Sequence, residues 1–409
     1  MHQPMKGVRV LEVAQFTFVP SAGAVLADWG ADVIKIEHAE KGDAQRGLVR
    51  VLGYSTGGSG FSPIMEGPNR GKRSVGLALE NPESREVFAE LIRRSDVFLT
   101  NFLPAARRSL GFTLEEVRAI NPDIIYVVGS GFGAQGPDAD KGGYDSTAFW
   151  ARGGSAFGTM PAGSEKVSFM PAGAYGDNIG GLTIAGGIAA ALYGRQVTGE
   201  PSEIDVSLLS VGAWATQFTV NMALVRGEAM PPPAADKRSA SAANPLSGAY
   251  RTADGRWIQL SMLQAGRYWP EFCQAIGRPE LVADERFTDD AALTTNHAAA
   301  MDLIAAVVAA EPLEHWRAAF KDIRGQWAVV QDSWEIGNDA DLIANGRIAD
   351  VVDAGGATRK LVANPVNFDN TPVSLTRAPG FAEHTDDVLR DLGYDDERLI
   401  ELKIAGAIT

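Results

Sequence analysis

Over its first 130 residues the chain alternates short β-branched runs with helix-forming segments, and this alternation limits the folds open to it. The runs are VRVLEV (8–13), DVIKIE (32–37), DVFLTNF (96–102) and DIIYVV (123–128), with helical patterns between them. Parallel strands need long crossover connections, which helices usually supply. The pattern therefore predicts an α/β fold with an open parallel sheet and helices on both faces.

The alternation stops at residues 227–245, which are rich in Pro, Ala and Ser and have no apolar period. This segment is the best candidate for a linker. After it, residues 248–263 are typical of a hairpin that turns at Asp254–Gly255. Because 409 residues exceed one ordinary core, we expect two domains.

Charge and cysteine content exclude several classes of protein. The formal net charge of −14 argues against a nucleic-acid partner or an anionic membrane surface. The single Cys273 cannot form an internal disulfide and favours a reducing compartment, so we expect a cytoplasmic protein with no signal peptide. The five histidines lack metal-ligand spacing, so no metal is expected. The uncharged run 178–194 predicts a buried internal helix rather than a membrane span.

GSGFGA (129–134) follows the strand-like run DIIYVV and matches the glycine pattern of dinucleotide-binding proteins. That pattern binds pyrophosphate only when it opens a helix. Turn-forming residues, QGPDADKGGYD, follow it here. We therefore predict no NAD site at this loop.

Ten further segments occur in an order that resembles one family. They are VLADWGADVIKIE (25–37), NRGKRSVGLAL (69–79), SDVFLTNFLP (95–104), INPDIIYVVGSGFGAQGP (120–137), GGYDSTAFWARGG (142–154), GDNIGG (176–181), IDVSLLS (204–210), YRTADGRWIQL (250–260), NPVNFDNTP (364–372) and APGFAEHTDDVLRDLGY (378–394). Together they resemble the class III CoA-transferases, or CaiB/BaiF family. The family includes formyl-CoA transferase, carnitine CoA-transferase and α-methylacyl-CoA racemase.

The resemblance implies an acyl-CoA thioester and a carboxylic acid as substrates, with no permanently bound cofactor. It also implies a Rossmann-like large domain built from both chain ends, a smaller α+β domain between them and an interlocked homodimer. On this basis we expect the large domain over 1–225 and 331–409, and the small domain with its linker over 226–330.

Asp177 stands at the start of a long uncharged run, after Gly176 and before Gly180 and Gly181. By itself the position is typical of a helix N-cap. The resemblance implies instead that Asp177 is the nucleophile that attacks the thioester. The two interpretations are compatible, because helix amides stabilise an ionised carboxylate. We expect the neighbouring glycines to make room for the reacting acyl group, with backbone N–H groups as oxyanion donors.

Tyr144 separates two branches of the family. Racemases that resemble this chain have histidine there as a base, and a tyrosine with a pKa near 10 is a poor base at neutral pH. The resemblance therefore favours a transferase in which Tyr144 hydrogen-bonds the substrate and Asp145 organises the site.

Further residues match family positions that line the substrate. Basic candidates for the CoA phosphates are Arg46, Lys72, Arg73 and Arg107 or Arg108, with Arg108 preferred, and His38 stands where relatives often have arginine. The remaining candidates are Thr17, Phe18, Asn101, Phe102, Asp145 and Gly176.

Two other functions stay open at this point. One is an isomerase of the α-methylacyl-CoA racemase type, and the other is a CoA-ester-binding protein without turnover. A formyl or oxalyl specialist is disfavoured, because residues 228–247 contain no glycine where formyl-CoA transferase has a glycine run. The aromatic residues near Thr17 and Trp150 point to an acyl group larger than formate.

Overall fold

A computed structural model describes residues 3–51, 54–55, 61–236 and 244–409. Seven residues of the predicted linker, 237–243, lie outside this range. The chain divides into two compact units, a large unit of residues 1–159, 167–230 and 337–409 and a small unit of residues 160–166 and 231–336.

The strands are β1 (Arg9–Val13), β2 (Asp32–Glu37), β3 (Arg50–Val51), β4 (Tyr54–Ser55), β5 (Arg73–Gly76), β6 (Val97–Thr100), β7 (Ile125–Ser130), β8 (Glu203–Ser207), β9 (Ser247–Arg251), β10 (Trp257–Ser261), β11 (Trp327–Val329), β12 (Ile348–Val352) and β13 (Thr358–Val362). The α-helices are α1 (Phe18–Asp28), α2 (Pro63–Asn69), α3 (Arg85–Arg93), α4 (Pro104–Leu110), α5 (Leu114–Ile120), α6 (Ser155–Gly158), α7 (Tyr175–Thr198), α8 (Leu208–Ala215), α9 (Gln217–Arg226), α10 (Ala265–Ala275), α11 (Asp290–Thr295), α12 (His297–Val308), α13 (Leu313–Ala319), α14 (Ser333–Gly337), α15 (Ala340–Ala344), α16 (Thr385–Leu392) and α17 (Asp396–Ile404).

The large unit contains a six-stranded sheet in the order β5-β2-β1-β6-β7-β8, and every pairing in it is parallel. The predicted parallel α/β sheet is therefore confirmed. From β1 the chain first builds the sheet outward through β2 and β5, and then returns to the other side of β1 to add β6, β7 and β8. The strand order thus reverses between β1 and β6, which is the place where open α/β sheets bind ligands.

Two apolar clusters cover the two faces of this sheet, because alternate residues of a strand point to opposite faces. Val10 belongs to the cluster that contains α1 and α7, whereas its neighbour Leu11 belongs to the cluster that contains α3, α16 and α17. The C-terminal residues thereby share a core with the first strand. Leu77, after β5, even forms a backbone bridge with Ile408.

Helix α7 packs against α1 through glycines. A Cβ atom on Gly180 would lie 2.3 Å from the Phe18 ring, and one on Gly181 would lie 2.5 Å from Ser21 Cβ. Glycine is required here because the two helices approach too closely for a side chain. The sequence predicted a buried internal helix over 178–194, but Tyr193 in that run and Val197 beyond it are exposed. Only one face of α7 meets the core of this unit.

The small unit has a three-stranded antiparallel sheet in the order β11-β10-β9. Its β9–β10 hairpin turns at Asp254–Gly255, where Gly255 has a φ of +80°, as the sequence predicts. Helices α10 to α13 share its core, which encloses Cys273. Burial raises the pKa of this thiol to about 12, so Cys273 is an unreactive core residue.

Within the described residues, no single helix is long and apolar enough to cross a membrane. Helices α8 and α9 meet that test only when joined, and they are bent by 77° at their junction.

Candidate active site

A cavity of about 640 Å³ opens in the large unit where the strand order reverses. Its walls come from the segments that follow the carboxyl ends of β1, β6 and β7, together with the first turn of α7 and part of β8. The lining residues are Gln15, Phe16, Phe18, Asn101, Phe102, Leu103, Pro104, Arg107, Val128, Gly129, Ser130, Gly131, Gly133, Ala134, Ala139, Asp140, Gly142, Gly143, Tyr144, Asp177, Glu203, Asp205 and Leu208.

Five of the residues predicted for the site line this one cavity, although they are up to 159 positions apart in sequence. They are Phe18, Asn101, Phe102, Tyr144 and Asp177. The parallel sheet explains the convergence, because the carboxyl ends of its strands lie at a common edge. Arg107, which the sequence left open beside Arg108, also lines the cavity, and the other predicted residues lie outside the lining.

Asp177 is the third residue of α7, and Ala174 occupies the N-cap position with a left-handed backbone. The N-cap interpretation of Asp177 is therefore wrong. Among the described residues, no donor lies within hydrogen-bonding distance of its carboxylate. The half-buried carboxylate instead faces the cavity, where it is available to a bound molecule.

Burial and, to a smaller extent, the nearby negative charge of Asp145 together raise the pKa of Asp177 to about 7. The helix start was expected to keep this carboxylate fully ionised, but the structure contradicts that expectation. Desolvation and a like charge outweigh the favourable helix end. Near pH 7 the protonated and ionised forms of Asp177 are therefore both populated.

This pKa makes the free energy of unfolding depend on pH. The unfolded carboxyl group ionises near pH 3.8 and the folded one near pH 7, so wild type should lose stability as the pH rises between these values. In Asp177→Asn that loss should disappear, leaving the variant more stable at pH 8 by on the order of 2 kcal/mol after allowance for partial exposure. Urea titrations of both proteins at pH 5 and pH 8 measure the difference. A stability gap that is equal at both pH values would contradict the raised pKa.

Tyr144 and Asp145 lie at the start of an unusual helix. Residues Asp145–Arg152 form two turns of π-helix, a rare conformation that is found mainly at functional sites. Tyr144 is 61 % exposed and lines the cavity, whereas Asp145 is not part of the lining. Burial raises the pKa of Asp145, although the backbone N–H groups of Ser146, Ala174 and Tyr175 oppose this effect.

Gly176 and Thr17, which the sequence placed among the substrate-lining residues, have structural roles instead. A Cβ atom on Gly176 would lie 2.4 Å from the Phe149 ring, so this glycine permits packing and makes no room for a substrate. Thr17 is held by its hydroxyl, which lies 2.8 Å from Gln45 Oε1. Neither residue lines the cavity.

The prediction that Lys72 contacts a CoA phosphate is wrong for this structure. Its side chain is fully buried, with Nζ 2.7 Å from Glu12 Oε2 and 2.8 Å from the Pro20 carbonyl oxygen. Burial, together with the positive charge of Lys35, lowers the pKa of Lys72 to about 7. An ammonium group enclosed in this way cannot reach a ligand in the cavity.

The other basic candidates also have acidic partners outside the cavity. Arg46 forms a bidentate pair with Glu37, Arg73 binds Asp32 and Asp391, and His38 Nε2 lies 2.7 Å from Glu80. Since these side chains neutralise carboxylates of the fold, the structure does not bring them together as a phosphate site.

Arg107 is the basic residue that lines the cavity, and Arg108 points elsewhere on α4. The sequence left both open and preferred Arg108. Arg107 Nη1 lies 3.4 Å from Tyr126 Oη, while its buried Nε has no hydrogen-bond partner among the described residues. An unused buried donor of this kind suits an anionic ligand.

Sequence reasoning missed several lining residues. The GSGFGA loop does form part of the wall, and no helix begins at it, which agrees with the absence of a dinucleotide motif. Phe16 entered the sequence argument only as one of the aromatic residues near Thr17 and was not named as a site residue, since no local pattern reveals its positive φ of +64°. Among the described residues, no group of three or more His, Cys, Asp or Glu side chains could hold a metal ion.

Comparison with known proteins gives the family to which this chain belongs. The model of CoA-transferase family III matches residues 5–385, nearly the whole chain. The protein therefore belongs to CoA-transferase family III, and it is an enzyme of the acyl-CoA:carboxylate CoA-transferase type.

Individual relatives match over almost their full length. The chain is 30% identical to (R)-2-hydroxy-4-methylpentanoate CoA-transferase of Clostridioides difficile, with 98% of each protein covered. It is 31% identical to formyl-CoA:oxalate CoA-transferase of Streptomyces avermitilis, with 100% of each covered. Among solved structures, a CaiB/BaiF family protein from Brucella suis superposes with a TM-score of 0.80 at 25% identity, covering 96% of this chain and 100% of that one.

Proposed function

We propose that the protein transfers CoA from an acyl-CoA to a carboxylic acid through covalent intermediates on Asp177. The observation that carries the proposal is the Asp177 carboxylate, which lacks hydrogen-bond donors and faces the cavity where the strand order reverses. A carboxylate without donors is a better nucleophile than one that is already hydrogen-bonded.

The reaction consists of four transfers between the same groups. Asp177 attacks the thioester carbonyl carbon, and the C–S bond breaks to give a mixed anhydride and CoA thiolate. The thiolate then attacks the Asp177 carbonyl carbon, which releases the donor acid and leaves an aspartyl-CoA thioester. The acceptor carboxylate displaces CoA from Asp177 to form a second anhydride. Finally the thiolate attacks the acceptor's acyl carbon, which restores the Asp177 carboxylate. One thioester replaces another, so no net proton or outside energy source is needed.

Tyr144 and Asp145 support these steps in different ways. The exposed Tyr144 side chain lines the cavity with Asp177 and can donate its hydroxyl hydrogen to a substrate oxygen. Asp145 raises the pKa of Asp177 through its charge, which increases the basicity of the reacting carboxylate. Tyr144 stands where racemases that resemble this chain have a histidine base, so this position favours transfer over racemisation.

Arg107 is the group that we assign to a phosphate of CoA, in place of Arg108. Replacing Arg107 with alanine should raise KM for acyl-CoA about tenfold or more, because a charge-assisted hydrogen bond is lost. Arg108→Ala, which removes the same charge from the next position of α4, should change KM less than about twofold. Steady-state kinetics on the two variants decide the assignment. Equal effects, or a larger effect for Arg108, would remove Arg107 from the CoA site.

The residues that line the cavity bear on the size and polarity of the acyl group. Phe16, Phe18, Phe102 and Tyr144 form aromatic parts of the wall of the cavity that also contains Asp177. Such a wall stabilises an apolar acyl group by burial. One relative is named for a branched hydroxy acid, (R)-2-hydroxy-4-methylpentanoate. We therefore assign this enzyme an apolar acyl group larger than formyl.

The covalent step can be tested by mass. Wild-type protein is mixed briefly with a panel of acyl-CoAs and its intact mass is recorded. An increase equal to the acyl group or to CoA, removed by hydroxylamine, is expected with at least one donor. Asp177→Ala should give no adduct, whereas Asp140→Asn, which removes another carboxylate from the same cavity wall, should still give it. An adduct that persists in Asp177→Ala would exclude the proposed nucleophile.

We also assign a homodimer, interlocked as in the family that the sequence resembles. Helices α8 and α9 support this, because they expose the large apolar side chains of Trp214, Phe218, Leu224 and Val225. A second copy of the chain would remove this surface from water. Light scattering during size-exclusion chromatography should give twice the mass of one chain.

A further inference from the structure

Phe16 has an unusual backbone conformation for an aromatic residue. It lies between β1 and α1 with a φ of +64°, in the left-handed region that is unfavourable for bulky side chains. Conformations of this kind persist only when the surrounding structure enforces them, and they concentrate at functional sites. The question is what holds Phe16 and what its ring does there.

The residues on both sides of Phe16 are fixed by side chains from other segments. The Gln15 N–H donates to Asn101 Oδ1 at 3.1 Å, and Asn101 Nδ2 donates in return to the Gln15 carbonyl oxygen at 2.7 Å. On the other side, Thr17 Oγ1 lies 2.8 Å from Gln45 Oε1. The loop therefore cannot relax by shifting its flanks.

Asp43 holds Phe16 itself. Its Oδ1 accepts hydrogen bonds from the N–H groups of Phe16, at 3.1 Å, and of Gln45, at 2.9 Å. Its Oδ2 lies 2.9 Å from Lys35 Nζ, and both side chains are fully buried. Because this carboxylate is anchored by a buried cation, it is a rigid acceptor for the strained N–H group.

The conformation of Phe16 places its ring in the wall of the cavity. The Phe16 ring meets the Tyr144 ring edge to face, with centroids 5.7 Å apart and planes at 88°. Both rings line the cavity that contains Asp177. An apolar acyl group attached to Asp177 would therefore be bounded by the Phe16 ring.

We propose that Phe16 is a specificity-determining residue that limits the size of the acyl group, and that Asp43 is the positioning residue that holds it in place. This inference rests on the proposed CoA transfer through Asp177. Without the ring, the acyl pocket is larger and prefers longer chains. Without the Asp43 carboxylate, Phe16 is free to leave its strained conformation, with a similar result.

The readout is a selectivity ratio, kcat/KM for octanoyl-CoA divided by kcat/KM for butyryl-CoA, measured on one preparation. The ratio does not depend on the folded fraction, so loss of stability alone cannot change it. Phe16→Gly keeps the backbone conformation, since glycine adopts positive φ without strain. We expect this variant to raise the ratio about tenfold, as for added space in an apolar pocket. An unchanged ratio in Phe16→Gly would overturn the proposal.

Asp43 is tested by a double-mutant cycle. Asp43→Asn in wild type should raise the ratio about threefold or more, whereas Asp43→Asn in the Phe16→Gly background should add nothing. The matched control is Asp28→Asn, which weakens another buried ion pair, with Arg70, away from this loop. It should leave the ratio unchanged. An equal effect of Asp43→Asn in both backgrounds would show that Asp43 does not act through Phe16. Failure of the proposed CoA transfer can be distinguished from failure of this inference, because wild type would then transfer neither acyl group.

Discussion

Replacing Asp177 with asparagine is expected to lower kcat for CoA transfer by roughly 10⁴-fold or more, as loss of a catalytic nucleophile usually does. The amide has nearly the same shape but cannot form the mixed anhydride. Acyl-CoA binding should change only a few-fold, because the binding contacts that we assign lie elsewhere in the cavity. Steady-state kinetics with several donor and acceptor pairs, combined with calorimetric titration of CoA, separate the two effects.

The size of the effect distinguishes the possible roles of Asp177. A residue that only stabilises the start of α7 would affect folding and leave turnover per folded molecule nearly unchanged. The same variant is expected to be more stable than wild type at pH 8, since it removes a buried charge. Asp177→Ala serves as a second variant, because it cannot revert by deamidation. Residual turnover above about one percent in both variants would contradict the nucleophilic role.

Replacing Glu12 with glutamine should lower the free energy of unfolding by about 3–5 kcal/mol, the usual cost of breaking a buried ion pair from one side. Glu12 Oε1 lies 3.1 Å from Lys35 Nζ and 2.8 Å from Lys72 Nζ, and all three side chains are fully buried. The pKa of Lys35 is raised because Glu12 and Asp43 surround it, although burial opposes this. Without Glu12, Lys35 and Lys72 lose the carboxylate that they share, and Asp43 remains as an ion-pair partner of Lys35. Urea-induced unfolding measures the change.

Two further variants test whether burial of the charges causes the loss of stability expected for Glu12→Gln. Glu90→Gln makes the same chemical change near the C-terminal end of α3, where the partly exposed Glu90 pairs with the exposed Arg93 and Arg94, and should cost less than about 1 kcal/mol. Adding Lys72→Met to Glu12→Gln should recover part of the lost stability, because an apolar side chain removes an unpaired charge. If Glu12→Gln unfolds at the same urea concentration as wild type, the three charges do not stabilise the fold.

The parallel sheet could be predicted because its evidence is local. A strand that is buried on both faces is rich in β-branched and other apolar residues, and the connections between parallel strands must be long enough for a helix. VRVLEV and DVIKIE carry this information within six residues each. The hairpin at Asp254–Gly255 is local in the same sense, since its turn requires glycine at a positive φ.

Sequence order was also enough to find the family and to select Asp177 and Tyr144 for the site. Sequence order did not identify the basic residues of the site, because the segment NRGKRS does not reveal whether its lysine faces water or Glu12. That difference depends on β1 lying beside β2 in the folded sheet, with Lys72 entering the same buried cluster. It failed between Arg107 and Arg108 because one position along a helix decides which side chain faces the cavity.

By itself, therefore, the sequence determined the alternation of strands and helices, the parallel sheet, the family and the choice of Asp177 as the candidate nucleophile. Only the tertiary structure decided which charges are enclosed, why the pKa of Asp177 is raised, and how Asp43 holds Phe16 against Tyr144. The physical reason is the separation in sequence over which each kind of interaction acts. Periodicity and turn chemistry act over a few residues, whereas burial and electrostatic coupling depend on segments that are far apart in the sequence and meet only in the folded protein.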